Sequence, residues 1–277
     1  MKGKTVKPKQ ASSKTVLITG ASSGIGQCTA AYLAQKGYQV YGTSRRPESC
    51  PEIKNGFMIK MDVRDTASVK EAIAYIVGKE GHLDILVNNA GYGIGGAVED
   101  TPTDMAKALF DTNFFGIYRV LQEVLPVMRR QSEGLIINMS SIGGIIGLPF
   151  QGIYSASKFA VEGLTEALYK ELSMSAIKVV LIEPGDFKTE FGANRQTIKA
   201  QHNADHFQRT MNVIEHDEQN GRPPLKIACL IERIINTPKP RLRYAVGAPD
   251  QKLSIFLKKI LPNRWFDQII MSYYKLK

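Results

Sequence analysis

Residues 19–26 read TGASSGIG and stand between the apolar run TVLIT at residues 15–19 and a helical pattern. A glycine-rich turn at this place lets the backbone approach a pyrophosphate, which the free amides and positive dipole end of the helix can bind. The spacing Gly20-x3-Gly24-x-Gly26 differs from the common GxGxxG pattern. A plain glycine-rich turn is the alternative, but the place directly after the first strand favours a dinucleotide-binding site.

Short apolar strands and helical patterns alternate along the rest of the chain. Continuous apolar runs are typical of strands that helices cover on both faces of a parallel sheet. The pattern predicts an α/β fold, a single doubly wound, Rossmann-like domain with a seven-stranded parallel sheet. The predicted strands cover residues 15–19, 39–44, 57–61, 83–87, 135–139, 178–182 and 242–246, and the predicted helices cover 24–36, 66–79, 104–131, 153–174 and 226–236.

Three segments flank or interrupt the predicted domain, which covers residues 14–250. Residues 1–13 are expected to form a basic flexible leader. Residues 186–224 are polar and contain no recognisable strand, so we expect an irregular lid or mobile loop at the carboxyl edge of the sheet. Residues 251–277 predict two short amphipathic helices that break at Pro262.

The C-terminal helices allow two interpretations. Residues 252–274 combine apolar side chains with interspersed lysines and arginines, which suits an interfacial segment that docks on membranes or shields an apolar substrate. Helices packed on the body of the protein or on another subunit would show the same pattern.

The net charge of +10 is concentrated in the two tails of this 277-residue chain. Residues 1–14 hold five lysines and no acid, and residues 252–277 hold six basic residues against one acid, whereas the body between them is balanced. A nucleic-acid site needs a basic stripe on the folded body, so no nucleic-acid partner is expected. Basic tails leave peripheral contact with lipid head groups open.

The cysteines indicate a reducing compartment. Three scattered cysteines without a CxxC pair favour free thiols and no metal site. The N-terminus lacks the apolar core of a signal peptide, and no stretch reaches the length of a membrane span. We therefore expect a cytoplasmic protein, with membrane association left open by the basic tails.

The end of the second strand, GTSRR at residues 42–46, bears on the choice of dinucleotide. Folds that bind NAD place an acid here for the ribose hydroxyls, but this chain has Ser44 followed by Arg45 and Arg46. A guanidinium binds a 2′-phosphate through charge-assisted hydrogen bonds, so the pattern favours NADP(H). A solvated pair of surface arginines is the alternative.

The segment YSASK places Tyr154 and Lys158 four residues apart, on one face of a predicted helix. A free tyrosine has a pKa near ~10, and a nearby ammonium would lower it. The spacing alone is common by chance. Ser141 closes the fifth strand thirteen residues before Tyr154 and could hydrogen-bond a substrate carbonyl, although a strand-end serine can also cap the next segment.

Asparagines mark two further positions. The segment NNAG at residues 88–91 follows the fourth strand, where small residues let a cofactor lie close. Asn113 stands inside a predicted helix, in DTNFFG, although asparagine is a poor residue for a helix interior. It therefore indicates a functional position or a local kink.

In this order and spacing, these motifs resemble the short-chain dehydrogenase/reductase family in its compact single-domain branch, over roughly residues 14–190. The TGxxxGxG spacing is that of the compact branch and not of the larger epimerase-type branch. The run from Leu148 to Gly163 is most similar to the 17β-hydroxysteroid dehydrogenase and retinol dehydrogenase-like subgroup and its bacterial relatives. Members of that subgroup favour NADP(H) and apolar substrates.

The resemblance implies an NADP(H)-dependent oxidoreductase that transfers a hydride between nicotinamide C4 and a carbonyl or alcohol carbon of a steroid-, retinoid- or acyl-like substrate. Tyr154 would be the general acid/base, and Ser141 would polarise the substrate oxygen. Lys158 would bind the nicotinamide ribose and lower the pKa of Tyr154. Asn113 would hold a water that links Lys158 to solvent.

The resemblance also implies the cofactor contacts. Arg45 would take the 2′-phosphate, and the other contacts would come from the ends of the strands. They are Gly20, Ser22, Ser23, Gly24, Ile25 and Gly26 along the phosphates, Asp62 and Val63 at the adenine, Asn88 and Ala90 at ribose and nicotinamide, and Pro184, Gly185 and Thr189 at the carboxamide and pyrophosphate.

Two other functions fit parts of the sequence. A non-catalytic NADP(H)-binding sensor or scaffold could use the same fold, but it would not need a complete set of Asn113, Ser141, Tyr154 and Lys158. A basic membrane-associated adaptor would rest on the tails alone. The resemblance further implies a homo-oligomer, either a dimer or a tetramer.

Overall fold

A parallel sheet of seven strands forms the centre of the protein, as a computed structural model of residues 13–277 shows. This sheet confirms the predicted α/β fold. Most of the predicted basic leader, residues 1–12, lies outside the described residues. In chain order, the strands are β1 (Thr15–Ile18), β2 (Gln39–Ser44), β3 (Gly56–Lys60), β4 (Ile85–Asn88), β5 (Ile94–Gly95), β6 (Gly134–Met139), β7 (Ile177–Pro184), β8 (Gln196–Thr197) and β9 (Arg243–Val246).

The spatial order of the sheet is β3-β2-β1-β4-β6-β7-β9, while β5 and β8 pair separately. The chain builds outward in one direction from β1 to β3 and then in the other from β4 to β9. Ligands of open α/β sheets bind where the order reverses, outside the carboxyl ends of the strands. That place lies between β1 and β4.

Helices cover both faces of the sheet. They are α1 (Gly24–Gln35), α2 (Thr66–Glu80), α3 (Thr103–Phe110), α4 (Gly116–Gln131), α5 (Gly152–Glu171), α6 (Ala204–Gln219), α7 (Leu225–Ile235), α8 (Pro249–Ile260) and α9 (Asn263–Tyr273). Helices α2, α4 and α5 pack on one face, and α1 and α7 pack on the other.

Strand β1 shows why its sequence is continuously apolar. Val16 and Ile18 pack under α1 and α7, whereas Leu17 packs on the opposite face with α2, α4 and α5. All three side chains are fully buried. Since neither face meets water, successive residues of the strand are apolar without alternation.

Two predictions about local structure are wrong in detail. The predicted helix over residues 104–131 divides into α3 and α4, with a π-helical turn at Asp111–Phe115 that contains Asn113. Residues 186–224 hold the short strand β8 and the sixteen-residue helix α6. Helix α6 buries the apolar residues Phe207, Met211 and Ile214. Most of its other residues are polar, so the apolar stripe gives only a weak pattern in the sequence.

The predicted break at Pro262 separates α8 from α9. Ile255 of α8 and Phe266 of α9 are buried against Ile142 and Ile146, which follow β6. One side of the C-terminal segment therefore packs on the body of the protein. Among residues 13–277, no helix is long and apolar enough to cross a bilayer.

Candidate active site

A cavity of about 850 Å³ opens at the carboxyl edge of the sheet. Fifteen of the residues predicted from the sequence line it, namely Gly20, Ser22, Ser23, Gly24, Ile25, Arg45, Asp62, Val63, Ala90, Ser141, Tyr154, Lys158, Pro184, Gly185 and Thr189. Gly26, Asn88 and Asn113 do not line the cavity. The tertiary structure thus gathers positions from the ends of six strands, and from helix α5, into one cleft.

The glycine-rich turn has a backbone that only glycine adopts easily. Gly20 and Gly24 have φ angles of +65° and +56°, and a Cβ at Gly20 would lie 2.8 Å from Cα of Ala90. A Cβ at Gly26 would lie 2.3 Å from the carbonyl oxygen of Gly20. Gly26 therefore allows the turn to close, and its predicted contact with the phosphates stays a prediction.

The start of α1 suits a pyrophosphate. The Ser23 side chain makes no capping hydrogen bond, and the first turn holds no acid. The amides of that turn are consequently available to an anion, which the helix dipole also favours. Together with the glycine cradle, this arrangement fits the phosphates of a dinucleotide.

The two asparagines after β4 have different roles. The side-chain amide of Asn88 donates to Asn138 at 2.9 Å, and that of Asn138 donates to Thr165 at 2.9 Å. Asn88 thus ties β4 to β6 beneath the cavity, and its predicted contact with the cofactor stays a prediction. Asn89, which the sequence reasoning missed, lines the cavity and donates at 3.0 Å to the carbonyl oxygens of Thr19 and Gly20.

The end of the cavity beside β2 and β3 is rich in arginine. Arg45 is exposed and lines the cavity, as does Arg64, which the sequence reasoning missed. Arg64 forms an ion pair of 2.7 Å with Asp62 and lowers the pKa of the Asp62 carboxyl. Arg45 lowers the same pKa by a smaller amount. Because Arg64 neutralises Asp62, the Arg45 guanidinium faces the cavity as a net cation.

Ser141 and Tyr154 meet at the floor of the cavity. The Ser141 hydroxyl oxygen accepts from the Gly143 amide at 3.0 Å, so its own proton remains available for donation. A Cβ at Gly143 would lie 3.3 Å from the Tyr154 ring, so glycine allows this approach. Phe191 packs edge-on against the same ring, with 5.8 Å between ring centroids.

Burial raises the pKa of Tyr154 to about 12, although a hydrogen bond with Ser141 opposes the shift. Lys158 is not among the groups that shift this pKa in the structure described, so its predicted effect on Tyr154 stays a prediction. The ammonium of Lys158 lies 6.0 Å from the centroid of the Tyr154 ring and donates to the Met139 carbonyl at 2.9 Å. Tyr154 therefore keeps its proton at neutral pH.

Lys158 is buried, and burial lowers the pKa of its ammonium to about 8. Asn113 lies beside it, since a Cβ at Gly91 would be 3.0 Å from Asn113 Oδ1 and 3.8 Å from Lys158 Nζ. The Asn113 side chain exchanges hydrogen bonds of 3.0 and 3.1 Å with the backbone of Tyr92. The π-helical turn thus positions Asn113 next to the lysine without exposing it to the cavity.

The far end of the cavity has apolar walls. They come from the segment after β6, from the predicted lid and from the two C-terminal helices. The apolar residues are Ile142, Ile146, Leu148, Phe191, Ile214, Leu253, Leu257, Ile269 and Ile270. An elongated apolar molecule could lie along this wall with its polar end at Tyr154.

Carboxylates also line the far end, close to Tyr154, and sequence reasoning did not predict them as site residues. Asp186 accepts a hydrogen bond from the side-chain amide of Gln251. Asp217 accepts one from the Tyr273 hydroxyl at 2.6 Å. Glu218 pairs with the buried Arg195. Burial raises the pKa of Asp186 to about 7, and the neighbouring Glu218 and Asp217 add to the shift.

Comparison with known proteins finds likenesses of sequence to one family and to two of its relatives. A profile of the short chain dehydrogenase family matches residues 14–200. The chain is 43% identical to a 3-ketodihydrosphingosine reductase of Bacteroides thetaiotaomicron over 267 residues. This alignment covers 95% of this chain and 98% of the relative. It is 36% identical over 257 residues to estradiol 17-beta-dehydrogenase 1 of Rattus norvegicus, covering 84% of this chain and 73% of the relative.

The three-dimensional likeness extends over nearly the whole chain. The crystal structure of a short-chain dehydrogenase from Streptomyces avermitilis superimposes with a TM-score of 0.82 at 30% identity, covering 96% of this chain and 98% of that one. Other solved structures similar to this fold carry NAD in one case and NADP in several.

Proposed function

The chain belongs to the short-chain dehydrogenase family of oxidoreductases, and from this premise we propose that it is an NADP(H)-dependent reductase of a long-chain amino ketone of the 3-ketodihydrosphingosine type. One observation carries the proposal. The carboxylates around Asp186 and a long apolar wall lie in the same cavity as Tyr154. Such a substrate combines a ketone, an ammonium on the adjacent carbon and a long alkyl chain, and each part has a counterpart in the cavity.

The arginines support NADP(H) as the dinucleotide. Arg45 faces the cavity with its charge uncompensated, because Arg64 neutralises Asp62. A 2′-phosphate would bind there through charge-assisted hydrogen bonds. The glycine cradle and the start of α1 would hold the phosphates, and Lys158 the nicotinamide ribose. When bound, the nicotinamide supplies the hydride.

The residues around Tyr154 would control the proton. As the carbonyl carbon of the substrate gains the hydride, the Tyr154 hydroxyl donates its proton to the carbonyl oxygen, and the product is an alcohol. The Ser141 hydroxyl donates a hydrogen bond to the same oxygen. The Tyr154 phenolate then regains a proton from Lys158, whose pKa of about 8 allows it to exchange with solvent near neutral pH. We propose that Asn113 positions the lysine and a water for this exchange.

The raised pKa of Tyr154 supports reduction as the favoured direction. A group with a pKa of about 12 is protonated at neutral pH and is therefore ready to donate, whereas alcohol oxidation requires the phenolate first. A non-catalytic sensor would need neither Tyr154 nor Ser141 in this arrangement, so we favour an enzyme.

The proposal extends to the cellular setting. The cysteines Cys28, Cys50 and Cys229 are free, which supports a cytoplasmic location. Exposed aromatic residues on α4 and α5, such as Tyr118 and Phe159, support self-association through these two helices. The stretch at residues 186–224 would act as a lid, since it contributes Phe191, Ile214 and Glu218 to the cavity walls.

Oxidation of NADPH tests the proposal, with 3-ketodihydrosphingosine compared against a ketone of equal chain length that lacks the amine. We expect the amino ketone to be reduced with the higher kcat/KM, and NADPH to be used in preference to NADH. Asp186→Asn should raise KM for the amino ketone about tenfold and leave KM for the plain ketone unchanged. The matched control is Glu71→Gln, which removes an exposed carboxylate from α2. Equal KM effects on the two ketones would refute the assigned role of Asp186.

A further inference from the structure

Helices α8 and α9 each present an apolar stripe to the exterior of the protein. The stripes comprise Leu253, Phe256 and Ile260 in α8 and Trp265, Ile269 and Tyr273 in α9, and each of these residues is 43 to 65% exposed. The spacings of three and four residues place each stripe on one side of its helix. We call these six residues the outer apolar face. Its area is larger than the single exposed apolar side chains that most surfaces carry, so it marks an interaction site.

The two helices that carry the outer apolar face are rich in basic residues. Residues 249–277 contain Lys252, Lys258, Lys259, Arg264, Lys275 and Lys277 but only two acids, Asp250 and Asp267. Helices with an apolar side that includes tryptophan and phenylalanine and a polar side rich in lysine bind at the interface of lipid bilayers. The positive charge complements anionic head groups.

The outer apolar face continues into the cavity. Leu253, Ile269 and Tyr273 belong to the face and also line the cavity, and Leu257 and Ile270 extend the apolar surface inward. Apolar side chains of α8 and α9 therefore continue from the exterior of these helices to the wall of the cavity, which Asp250 of α8 also lines.

We propose that the outer apolar face binds the surface of an anionic lipid bilayer, and that the cavity takes its substrate from that surface. A second copy of the chain is a poorer occupant, because a symmetric contact would set the same basic residues against each other. Residues 1–12 are also a poorer occupant, since they carry Lys2, Lys4, Lys7 and Lys9 and no acid.

Trp265 gives a direct readout, because it is the one tryptophan in the chain and lies on the outer apolar face. The full-length protein is mixed with vesicles of phosphatidylcholine and phosphatidylglycerol in equal parts, or of phosphatidylcholine alone. With the anionic vesicles, we expect the protein to co-sediment and the Trp265 emission to shift to shorter wavelength. Binding should be weaker with neutral vesicles and should decrease as salt is added.

Two pairs of variants separate the apolar and ionic contributions. The double variant Phe256→Ser/Ile260→Ser should reduce vesicle affinity at least about tenfold. Met174→Ser is the control, because Met174 is 98% exposed and lies outside the C-terminal helices, just before β7, and it should leave vesicle affinity unchanged. The double variant Lys252→Glu/Lys259→Glu should abolish the preference for anionic vesicles, whereas Lys54→Glu/Lys70→Glu should keep it. Phe256 and Ile260 do not line the cavity, so reduction of a water-soluble ketone should be unchanged in their variant.

Equal vesicle binding by the wild type and by Phe256→Ser/Ile260→Ser would overturn the proposal, as would co-sedimentation without any shift of the Trp265 emission. The proposal would also fail if the wild type formed a dimer without lipid and this double variant were a monomer. The last result would assign the face to a second copy. The uptake of substrate from the membrane surface rests on the proposed function, whereas vesicle binding is measured without substrate. A failure to reduce the amino ketone would therefore refute the proposed function and leave the binding of the outer apolar face to the bilayer standing.

Discussion

The two ends of the cavity are constructed in different ways. At the cofactor end, short loops directly after β1 and β4 bring backbone groups and glycines together, as in the contact of Gly20 with Ala90. At the substrate end, side chains come from the segment after β6 and from α6, α8 and α9, which lie far from that segment in the chain. The cofactor end therefore depends on backbone shape, which tolerates few substitutions. The substrate end depends on separate side chains, which can be exchanged singly.

Tyr154 lies between the two ends, and its replacement should have the largest effect. Tyr154→Phe removes the proton donor, so kcat should fall by about 10²- to 10⁴-fold. It keeps the ring that packs on Phe191, so NADPH affinity should be nearly unchanged. Turnover and NADPH fluorescence titration measure the two quantities. Tyr169→Phe, at an exposed tyrosine of α5, serves as the control. Near wild-type turnover in Tyr154→Phe would remove Tyr154 from the mechanism.

Gly26 tests whether the cofactor end depends on backbone shape. In Gly26→Ala the new Cβ would lie 2.3 Å from the Gly20 carbonyl oxygen and 2.4 Å from Asn89 Nδ2, so the turn must shift. We expect NADPH affinity to fall at least about tenfold and the free energy of unfolding to fall by about 1–3 kcal/mol.

Gly78→Ala is the matched control for that substitution. A Cβ at Gly78 in α2 meets nothing within 4 Å, so alanine should stabilise the helix by about 0.5–1 kcal/mol and leave NADPH binding unchanged. If the two alanine variants bound NADPH equally well, backbone shape would not be the limiting property of the cofactor end.

The substrate end should give the smallest effect, a pH dependence of selectivity. Asp186 has a pKa of about 7, so its carboxyl is neutral below that pH and charged above it. The charged form attracts an ammonium, and the preference in kcat/KM for the amino ketone over the plain ketone should therefore rise as pH increases through about 7, by a factor below about ten. Taking the ratio of the two substrates cancels the titration of Lys158, which both share.

Asp186→Asn should flatten this profile between about pH 6 and pH 8, because the neighbouring Glu218 remains paired with Arg195. A profile with the same slope in the variant would assign the titration to Glu218, whose pKa burial also raises. A preference that fell with rising pH would contradict an ionic contact with the substrate amine.

The spacing of motifs predicted much of the fold and of the cofactor end. The seven strands follow from continuous apolar runs, and the cleft contains Arg45, Ser141, Tyr154 and Lys158 as predicted. The sequence does not separate Asn88 from Asn89, because two adjacent asparagines look alike in sequence, whereas in the structure only Asn89 lines the cavity. Helix α6 was missed, because three buried residues among many polar ones give a weak pattern.

The α/β order, the glycine turn and the Tyr154/Lys158 pair follow from sequence alone, because each depends on residues within one turn or one strand. The sign of the pKa shift at Tyr154 does not, because it depends on how much of the protein surrounds the hydroxyl and on where Lys158 directs its ammonium. The meeting of Asp186, Asp217 and Glu218 with the C-terminal helices is likewise decided by the tertiary structure, since packing alone sets the distances between residues so far apart in the chain.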